Sequence, residues 1–349
     1  VWGAVIIHRC WTRYVRYETY TEEDSKQWSR IGASTSTTSS GLQGSFFMRP
    51  LRDTIVPTVK ASCVIGASEF NDMPTYLNQT VSLAKEGSEI VLWSESLVEM
   101  KDAQMKEAFW GTARNISTTY GIYLGVTYSE FLDAEMIESK NMFTLFGPQG
   151  QILFEYQKAN PVAMVETTVE AGPQILPVVE TEKLGRVGGS ICFDMDFPNF
   201  IAQAGTKRVD LMLQPSWTWG SIGRLEAYMQ SYRVVEQGFT LFRCGSWAPS
   251  TVYDPYRQLY GYKNNLGSGT FTVDIPLQKH VQTIYSAVGN LWQYICCAFA
   301  VVTLLLVLIP KRFVDRWIDQ VENRLWRRVG THSADSNIGG SSRDGSSHV

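Results

Sequence analysis

The sequence predicts a mixed α/β protein with layered β-sheets, followed by one C-terminal transmembrane helix. Two observations predict the globular part. Short apolar, β-branched runs alternate with helical stretches, and one pair of runs is joined by a Gly/Pro turn. The third observation is an uncharged segment at residues 291–310, which predicts the membrane helix. We place the globular domain at residues 54–276.

Composition narrows the class of protein. The chain has 349 residues, enough for one large domain with appendages, and 44% of them are hydrophobic, enough for a buried core. The net charge of -3 implies no general attraction to nucleic acid, so we expect no nucleic-acid partner. The six cysteines show no paired metal-ligand spacing, and we expect no metal and no organic cofactor.

Residues 1–53 are interpreted as an N-terminal segment and linker. Residues 1–7 are apolar but too short to span a bilayer, and they fit the end of an upstream membrane helix. Residues 34–40 are a Ser/Thr run, which is typical of a solvated linker. The chain begins with Val1 instead of Met, so we interpret it as a trimmed or partial product.

Within the globular domain, hydrophobic runs and helical spacing predict the elements in order. The turn at residues 147–150, Gly-Pro-Gln-Gly, predicts a hairpin between its two flanking strands. Helices are predicted at residues 73–85, 101–118 and 221–237. Strands are predicted at residues 59–65, 89–93, 121–127, 142–146, 151–156, 188–192, 210–214, 240–244 and 270–275.

The segment at residues 291–310 has the length that a membrane helix needs. It carries no charge, and a hydrocarbon core of about 30 Å requires about 20 such residues. Trp292 and Tyr294 stand at one end, where an aromatic belt belongs, and Lys311 and Arg312 follow the other end. A buried core helix is the alternative.

Orientation follows from the basic residues, which favour the cytosolic side of a membrane. The tail after the segment should be cytosolic, and the globular domain lumenal or extracellular. Glycosylation sequons at Asn78 and Asn115 agree with that orientation. Residues 311–329 have apolar side chains at helical spacing, which predicts an amphipathic helix on the membrane surface or one packed on the protein. Residues 330–349 are rich in Ser and Gly and should be disordered.

Three short motifs place reactive side chains at strand ends. Glu95 follows the apolar run Ile-Val-Leu-Trp, and Lys158 follows Phe-Glu-Tyr-Gln, with Glu166 eight residues later. Cys192 ends the run Gly-Gly-Ser-Ile and precedes Phe-Asp-Met-Asp-Phe-Pro. The carboxyl ends of strands are where sites form in α/β sheets, so we expect these side chains to share one site.

The motifs resemble those of the carbon–nitrogen hydrolase (nitrilase) superfamily. That family uses a Glu, a Lys and a Cys in this order, at strand ends of an α-β-β-α sandwich. Within it, the chain most resembles the apolipoprotein N-acyltransferases, which place such a domain on the far side of a membrane. The segments that carry the resemblance are Tyr156-x-Lys158 with Pro161 and Glu166, residues 191–194 with Phe197-Pro198, residues 214–217, and Arg233-x-x-Glu236.

The resemblance implies a role for each matched residue. Glu95 would be the general base and Cys192 the nucleophile that forms a thioester. Lys158 and the backbone N–H of Phe193 would stabilise the oxyanion. Glu166 would orient the second nucleophile or hold Lys158, and Asp194 would brace the turn. Trp217 and Trp219 would line the site or pack in the core.

Three functions remain open from the sequence. The leading one is transfer of an acyl group from a membrane lipid to an amine, because a tethered domain works at high local concentration near bilayer substrates. The second is hydrolysis of a small amide by a membrane-anchored amidase. The third belongs to another class: a non-catalytic binding or scaffold protein that retains the fold. Many members of the family pair their sandwiches, so a homo-oligomer is a possible assembly.

Overall fold

The computed structural model describes residues 56–324, except residues 67–71, 134, 266, 309–311 and 313–314. The chain divides into two compact units, of which the first ends at Ala287 and the second begins at Val288. The predicted N-terminal segment at residues 1–53 and the predicted disordered tail at 330–349 lie outside the described residues.

Strands and helices alternate along the first unit, and the described part of the second unit is mostly helical. The strands are β1 (Thr58–Ile65), β2 (Ile90–Trp93), β3 (Val98–Met100), β4 (Tyr123–Phe131), β5 (Ser139–Phe146), β6 (Ile152–Gln157), β7 (Val178–Thr181), β8 (Gly185–Gly189), β9 (Leu211–Trp217), β10 (Thr240–Ser246), β11 (Pro249–Tyr253), β12 (Leu259–Asn264) and β13 (Gly269–Pro276). The helices are α1 (Met73–Lys85), α2 (Ala103–Tyr120), α3 (Pro198–Thr206), α4 (Gly220–Gln230), α5 (Tyr232–Gln237), α6 (Ile284–Val288) and α7 (Leu291–Leu308).

Two mixed sheets form the framework of the first unit. One has the order β13-β1-β2-β4-β5-β6, with β3 beside β4, and the other has the order β12-β11-β10-β9-β8-β7. In the first sheet β1, β2 and β4 run parallel, and in the second β8, β9 and β10 do. The antiparallel pair β5 and β6 confirms the predicted hairpin. The predicted α/β layering is therefore present, with parallel strands at the centre of each sheet.

Strand β1 shows how the layers pack. Its residues Val59, Cys63 and Ile65 belong to a core shared with Leu213 of the second sheet. Val64 points to the opposite face and belongs to a separate core, which helices α1 and α2 cover. Because successive side chains of a strand alternate between faces, a strand that is apolar on both faces must be covered on both sides. The first sheet is thus sandwiched between the second sheet and a helical layer.

Polar caps explain where α1 and α2 begin. Asp72 accepts a hydrogen bond from the backbone N–H of Thr75 at 3.2 Å, and Asp102 accepts one from Met105 at 2.7 Å. These bonds satisfy backbone donors that the first turn of a helix leaves free. Helix α2 ends at Gly121, whose φ of 64° lies in the left-handed region that glycine enters without a steric penalty. The predicted helix at residues 73–85 is confirmed, and the one at 101–118 is shifted by two residues.

Two predicted elements differ from the structure. The strand predicted at residues 188–192 ends at Gly189, and Cys192 instead begins a short 3-10 helix, Cys192–Asp196. The helix predicted at residues 221–237 is interrupted at Ser231, between α4 and α5. The Ser231 hydroxyl donates to the carbonyl of Tyr228 at 2.6 Å. A serine that bonds back to a carbonyl of the preceding turn bends a helix, which explains the interruption.

A disulfide joins the two sheets. Cys63 of β1 and Cys244 of β10 are 181 residues apart in sequence, their Cα atoms lie 5.5 Å apart, and both side chains are fully buried. This pair is not apparent from the sequence, because connectivity between distant cysteines cannot be deduced from their spacing. The bond connects one central strand of each sheet covalently.

Helix α7 begins where the predicted membrane segment begins and is described for 18 residues. Among the residues that the structure describes, no helix combines the length and the apolar character that crossing a membrane requires. The predicted segment also includes residues 309 and 310, which lie outside the described part, so the membrane helix stays a prediction. Residues 315–324 are helical, with Trp317 and Ile318 exposed, and the predicted surface helix at 311–329 is likewise untested.

Candidate active site

Two strand ends and a short 3-10 helix carry the three predicted reactive side chains into the interior. Glu95 lies two residues beyond β2, Lys158 directly follows β6, and Cys192 begins the 3-10 helix after β8. Their exposed fractions are 2%, 1% and 3%. Strands β2 and β6 belong to the first sheet and β8 to the second, so these residues meet where the two sheets face each other.

The Lys158 ammonium lies between two carboxylates. Its Nζ donates to Oε1 of Glu95 at 2.8 Å and to Oε1 and Oε2 of Glu166 at 2.9 and 2.7 Å. Asn141 of β5 adds a donor, because its Nδ2 lies 2.8 Å from Oε1 of Glu95 and 3.5 Å from Oε1 of Glu166. A buried ammonium is tolerated when carboxylates and hydrogen bonds replace its hydration, and this arrangement provides both.

The backbone of Trp217 connects Glu95 with Cys192. Its N–H donates to Oε2 of Glu95 at 2.7 Å, and its carbonyl accepts from the Cys192 thiol with an Sγ–O distance of 3.3 Å. Both backbone groups belong to one residue, at the end of β9. The structure therefore brings Glu95, Lys158 and Cys192 together in one connected site.

Burial and neighbouring charges set the protonation of this site. Burial raises the pKa of Glu95, although Lys158 counteracts it. Burial also raises the pKa of the Cys192 thiol well above its ordinary value, and the charges of Glu226 and Glu95 add to the rise. Burial alone would lower the pKa of Lys158, but Glu95, Cys192 and Glu166 carry it above its ordinary value. The resting site thus holds a protonated thiol and an ammonium, beside a carboxylate with increased affinity for a proton.

The turn that presents Cys192 is braced by Asp194. Cys192 has a φ of 44°, an uncommon conformation for a residue with a side chain, which must be held by its surroundings. Asp194 accepts hydrogen bonds from the N–H of Ile191 at 2.9 Å, the hydroxyl of Tyr156 at 2.7 Å and the N–H of Asn160 at 2.8 Å. These bonds tie the cysteine turn to the strand and loop that carry Lys158.

The other residues predicted for the site, Phe193, Trp217 and Trp219, lie around the cysteine turn at different depths. Phe193 follows Cys192 in the 3-10 helix and packs its ring against Phe197, with centroids 5.2 Å apart. Trp217 contacts the site through its backbone. Its ring centroid lies 6.0 Å from that of Trp219, whose side chain is 43% exposed. Trp219 therefore lies at the surface beside the site, and the predicted lining role of both tryptophans remains a prediction.

Both predicted glycosylation sites lie on helices. Asn78 is exposed on α1 and Asn115 is exposed on α2. The hydroxyl residues of their sequons are fully buried: Thr80 accepts from the indole N–H of Trp93, and Ser117 donates to a backbone carbonyl. Glycosylation at either asparagine stays a prediction.

Several residues at the site were not predicted from the sequence. Asn141 lies inside β5, and no motif distinguishes it from a solvated strand residue. Glu226 of α4 places Oε1 3.5 Å from Sγ of Cys192. The signal that could have indicated it is helical spacing, since Gly223, Ala227 and Gln230 form the buried face of α4 beside it.

Comparison with known proteins identifies the family and related folds. The family model described as carbon–nitrogen hydrolase matches residues 20–285. An amidase from Nesterenkonia sp. is 20% identical, with a TM-score of 0.54 over 64% of this chain and 94% of that one. A mutant of that amidase in complex with butyramide is 19% identical, with the same coverage and TM-score. Another mutant, with the acetamide moiety of fluoroacetamide added covalently at its active-site cysteine, is 20% identical, with a TM-score of 0.55 over 64% and 94% of the two chains.

Proposed function

Because this chain belongs to the carbon–nitrogen hydrolase family of enzymes, we propose that Cys192 attacks the carbonyl carbon of an amide or ester and forms a thioester. The observation that carries the proposal is the connected buried site, in which Lys158 bonds Glu95 and Trp217 bonds both Glu95 and Cys192. A thiol needs a neighbouring base to become a nucleophile, and Glu95 is that base.

Each step uses one of these groups. The thiol proton passes to Glu95 as the bond between Sγ and the carbonyl carbon forms. The carbonyl oxygen then carries negative charge, which the Lys158 ammonium and the Phe193 N–H stabilise, at roughly 3–4 kcal/mol for each donor. The leaving amine or alkoxide takes the proton from Glu95, and the acyl group remains on Cys192. An amine or water then attacks the thioester and loses a proton to Glu95, which passes it to the departing sulfur and so restores the thiol and the carboxylate.

We favour a membrane lipid as acyl donor and an amine as acceptor. Two features support this choice: the resemblance of the Lys158 and Cys192 motifs to N-acyltransferases, and the uncharged segment at residues 291–310. Apolar side chains of α7, among them Phe299 and Leu304, are exposed and would suit a lipid environment. The alternative is hydrolysis of a small amide, which the fold shared with the Nesterenkonia amidase supports.

We also propose that the catalytic domain lies in the lumen or outside the cell. The disulfide between Cys63 and Cys244 supports this location, because disulfides persist in oxidising compartments and are rare in the cytosol. The basic residues Lys311 and Arg312 support it as well, since they favour a cytosolic tail.

The proposed chemistry is tested by intact-protein mass spectrometry of the full chain in vesicles of phosphatidylethanolamine, with butyramide as a second substrate. We expect a mass gain of one acyl group in the presence of lipid, mapped to Cys192 by peptide analysis and absent in Cys192→Ala. Ammonia release from butyramide without a lipid adduct would replace the transferase with the amidase. An adduct that persists in Cys192→Ala, or no reaction with either substrate, would overturn the nucleophile assignment.

Glu166→Gln is expected to move the acid limb of the pH–rate profile to lower pH. The negative charge of Glu166 raises the pKa of Glu95, so its removal lets the base stay deprotonated in more acidic solution. The measurement is kcat/KM against pH for the substrate that reacts. Glu130→Gln is the matched control, because Glu130 pairs with Lys106 outside the site. An acid limb that stays in place, or moves to higher pH, contradicts the prediction.

A further inference from the structure

Glu226 gives the nucleophile a second carboxylate neighbour, on an element that none of the three motifs includes. It projects from the inner side of α4, and its side chain is only 8% exposed. Its Oε1 lies 3.5 Å from Sγ of Cys192, so it competes with the Trp217 carbonyl, at 3.3 Å, for the single hydrogen of the thiol. The hydroxyl of Thr218 lies beside the same sulfur, at 3.8 Å.

The Glu226 carboxylate is held in place by side chains. Gln230 donates to Oε1 at 2.9 Å, Arg243 donates to Oε2 at 3.3 Å, and the Thr218 hydroxyl donates to Oε2. Arg243 is fully buried, so its guanidinium depends on Glu226 for a counter-charge. Because these side chains all donate to the Glu226 carboxylate, its oxygens are held in place beside the sulfur and can act there as hydrogen-bond acceptors.

The same network holds the backbone of the nucleophile. Nε2 of Gln214 and Nε2 of Gln230 each donate to the Cys192 carbonyl at 3.1 Å, and Gln214 also donates to Gln230 at 2.6 Å. Gln230 therefore contacts both the Cys192 backbone and Glu226. The orientation of Sγ is set jointly by the backbone held through the glutamines and by the Glu226 contact.

We propose that Glu226 is a positioning residue that accepts the S–H of Cys192 and directs the protonated thiol toward the substrate carbon. The proposal rests on the proposed function, because it takes Cys192 as the nucleophile. The thiol proton still passes to Glu95 when the bond to carbon forms, and Glu226 keeps its charge throughout. The competing role is structural: Glu226 would do no more than neutralise Arg243.

Charges on several elements act on the thiol. Those of Glu226 and Glu95 raise its pKa, whereas those of Lys158 and Arg243 lower it. Asp196 of the 3-10 helix faces Glu226, and burial together with the Glu226 charge raises the pKa of Asp196 to about 6. The other ionisable groups around the site are Tyr156, Glu166, Asp194 and Arg233.

The test combines two reactions of Cys192 in Glu226→Gln. One is alkylation by iodoacetamide across the neutral and alkaline range, followed at Cys192 by peptide mass spectrometry. The other is acylation by the reacting substrate. Loss of the negative charge favours the thiolate, so alkylation at neutral pH should become about tenfold faster and its midpoint should move to lower pH. Acylation should slow at saturating substrate with little change in KM, because the sulfur is no longer directed toward the substrate carbon.

Three further variants separate positioning from charge neutralisation. Glu226→Asp keeps the charge beside Arg243 but withdraws it from the sulfur, so it should retain the fold and slow acylation. Glu226→Gln/Arg243→Met removes both charges, which act on the thiol pKa in opposite directions, so alkylation should return towards the wild-type rate whereas acylation should stay slow. Glu130→Gln is the matched control and should change neither reaction, because its partner Lys106 lies elsewhere.

Two results would overturn the positioning role: wild-type acylation in Glu226→Gln, or recovery of wild-type acylation in Glu226→Gln/Arg243→Met. Alkylation needs no substrate, so it reports on Glu226 even if the proposed function fails. Failure of that function would appear separately, as a wild-type protein that forms no acyl-enzyme on Cys192.

Discussion

Lys158→Met is expected to abolish acylation and to lower the free energy of unfolding by about 3–5 kcal/mol. The Lys158 side chain is only 1% exposed and bonds both Glu95 and Glu166. Methionine fills a similar volume but leaves two carboxylates facing each other without a cation, and it removes the ammonium that stabilises the oxyanion. Denaturant unfolding and acyl-enzyme formation measure the two effects.

The loss of stability in Lys158→Met should depend on pH with a defined sign. Burial already raises the pKa of Glu95 above its ordinary 4.5, and without Lys158 it rises further. A group whose folded-state pKa is raised contributes stability at low pH that is lost as pH rises through that pKa. The difference in stability from wild type should therefore be largest at neutral pH and shrink as pH falls towards 4.5.

Two variants serve as controls for Lys158→Met. Lys106→Met removes an ammonium from a partly exposed pair of carboxylates, Glu130 and Glu155, and should cost only about 1 kcal/mol. Lys158→Met/Glu95→Gln removes the uncompensated buried charge and should recover part of the lost stability. Wild-type unfolding of Lys158→Met, or a double variant less stable than the single one, would contradict the argument.

Removal of the disulfide by Cys63→Ala/Cys244→Ala should lower the free energy of unfolding by about 2–5 kcal/mol. The bond joins strands of different sheets across 181 residues of sequence. Its loss restores conformational freedom to the unfolded chain and removes the covalent link between the sheets. Denaturant unfolding with and without a reductant measures the effect.

The reductant provides an internal check of the disulfide prediction. It should destabilise the wild type by the same amount as the double substitution and leave the double variant unchanged. Cys296→Ala/Cys297→Ala is the control, because these residues are free thiols of α7. If the reductant does not change the unfolding midpoint of the wild-type protein, the prediction is wrong. The disulfide then no longer supports the location of the domain in an oxidising compartment.

Local patterns were sufficient for much of the fold. Strand β2 and helix α1 were predicted nearly to the residue, because a continuous apolar run and apolar side chains at helical spacing are properties of residues close together in the chain. Strands β11 and β12 were not predicted. The residues of β12 are exposed or only partly buried, with a glycine inside the strand, so their strand character comes from pairing with β11.

The sequence by itself determined the α/β class, the grouping of Glu95, Lys158 and Cys192, and the strand ends that precede Glu95 and Lys158, because strand formation and the residue that follows a strand are local properties. The predicted strand end at Cys192 was wrong, since that residue begins a 3-10 helix. Only the tertiary structure decided the partners of those residues. The contact of Asn141 depends on the order of strands within the first sheet, that of Glu226 on how α4 packs beside the cysteine turn, and the bond between Cys63 and Cys244 on which strands face each other across the two sheets. That packing arises from contacts between residues far apart in the chain, and no local periodicity encodes it.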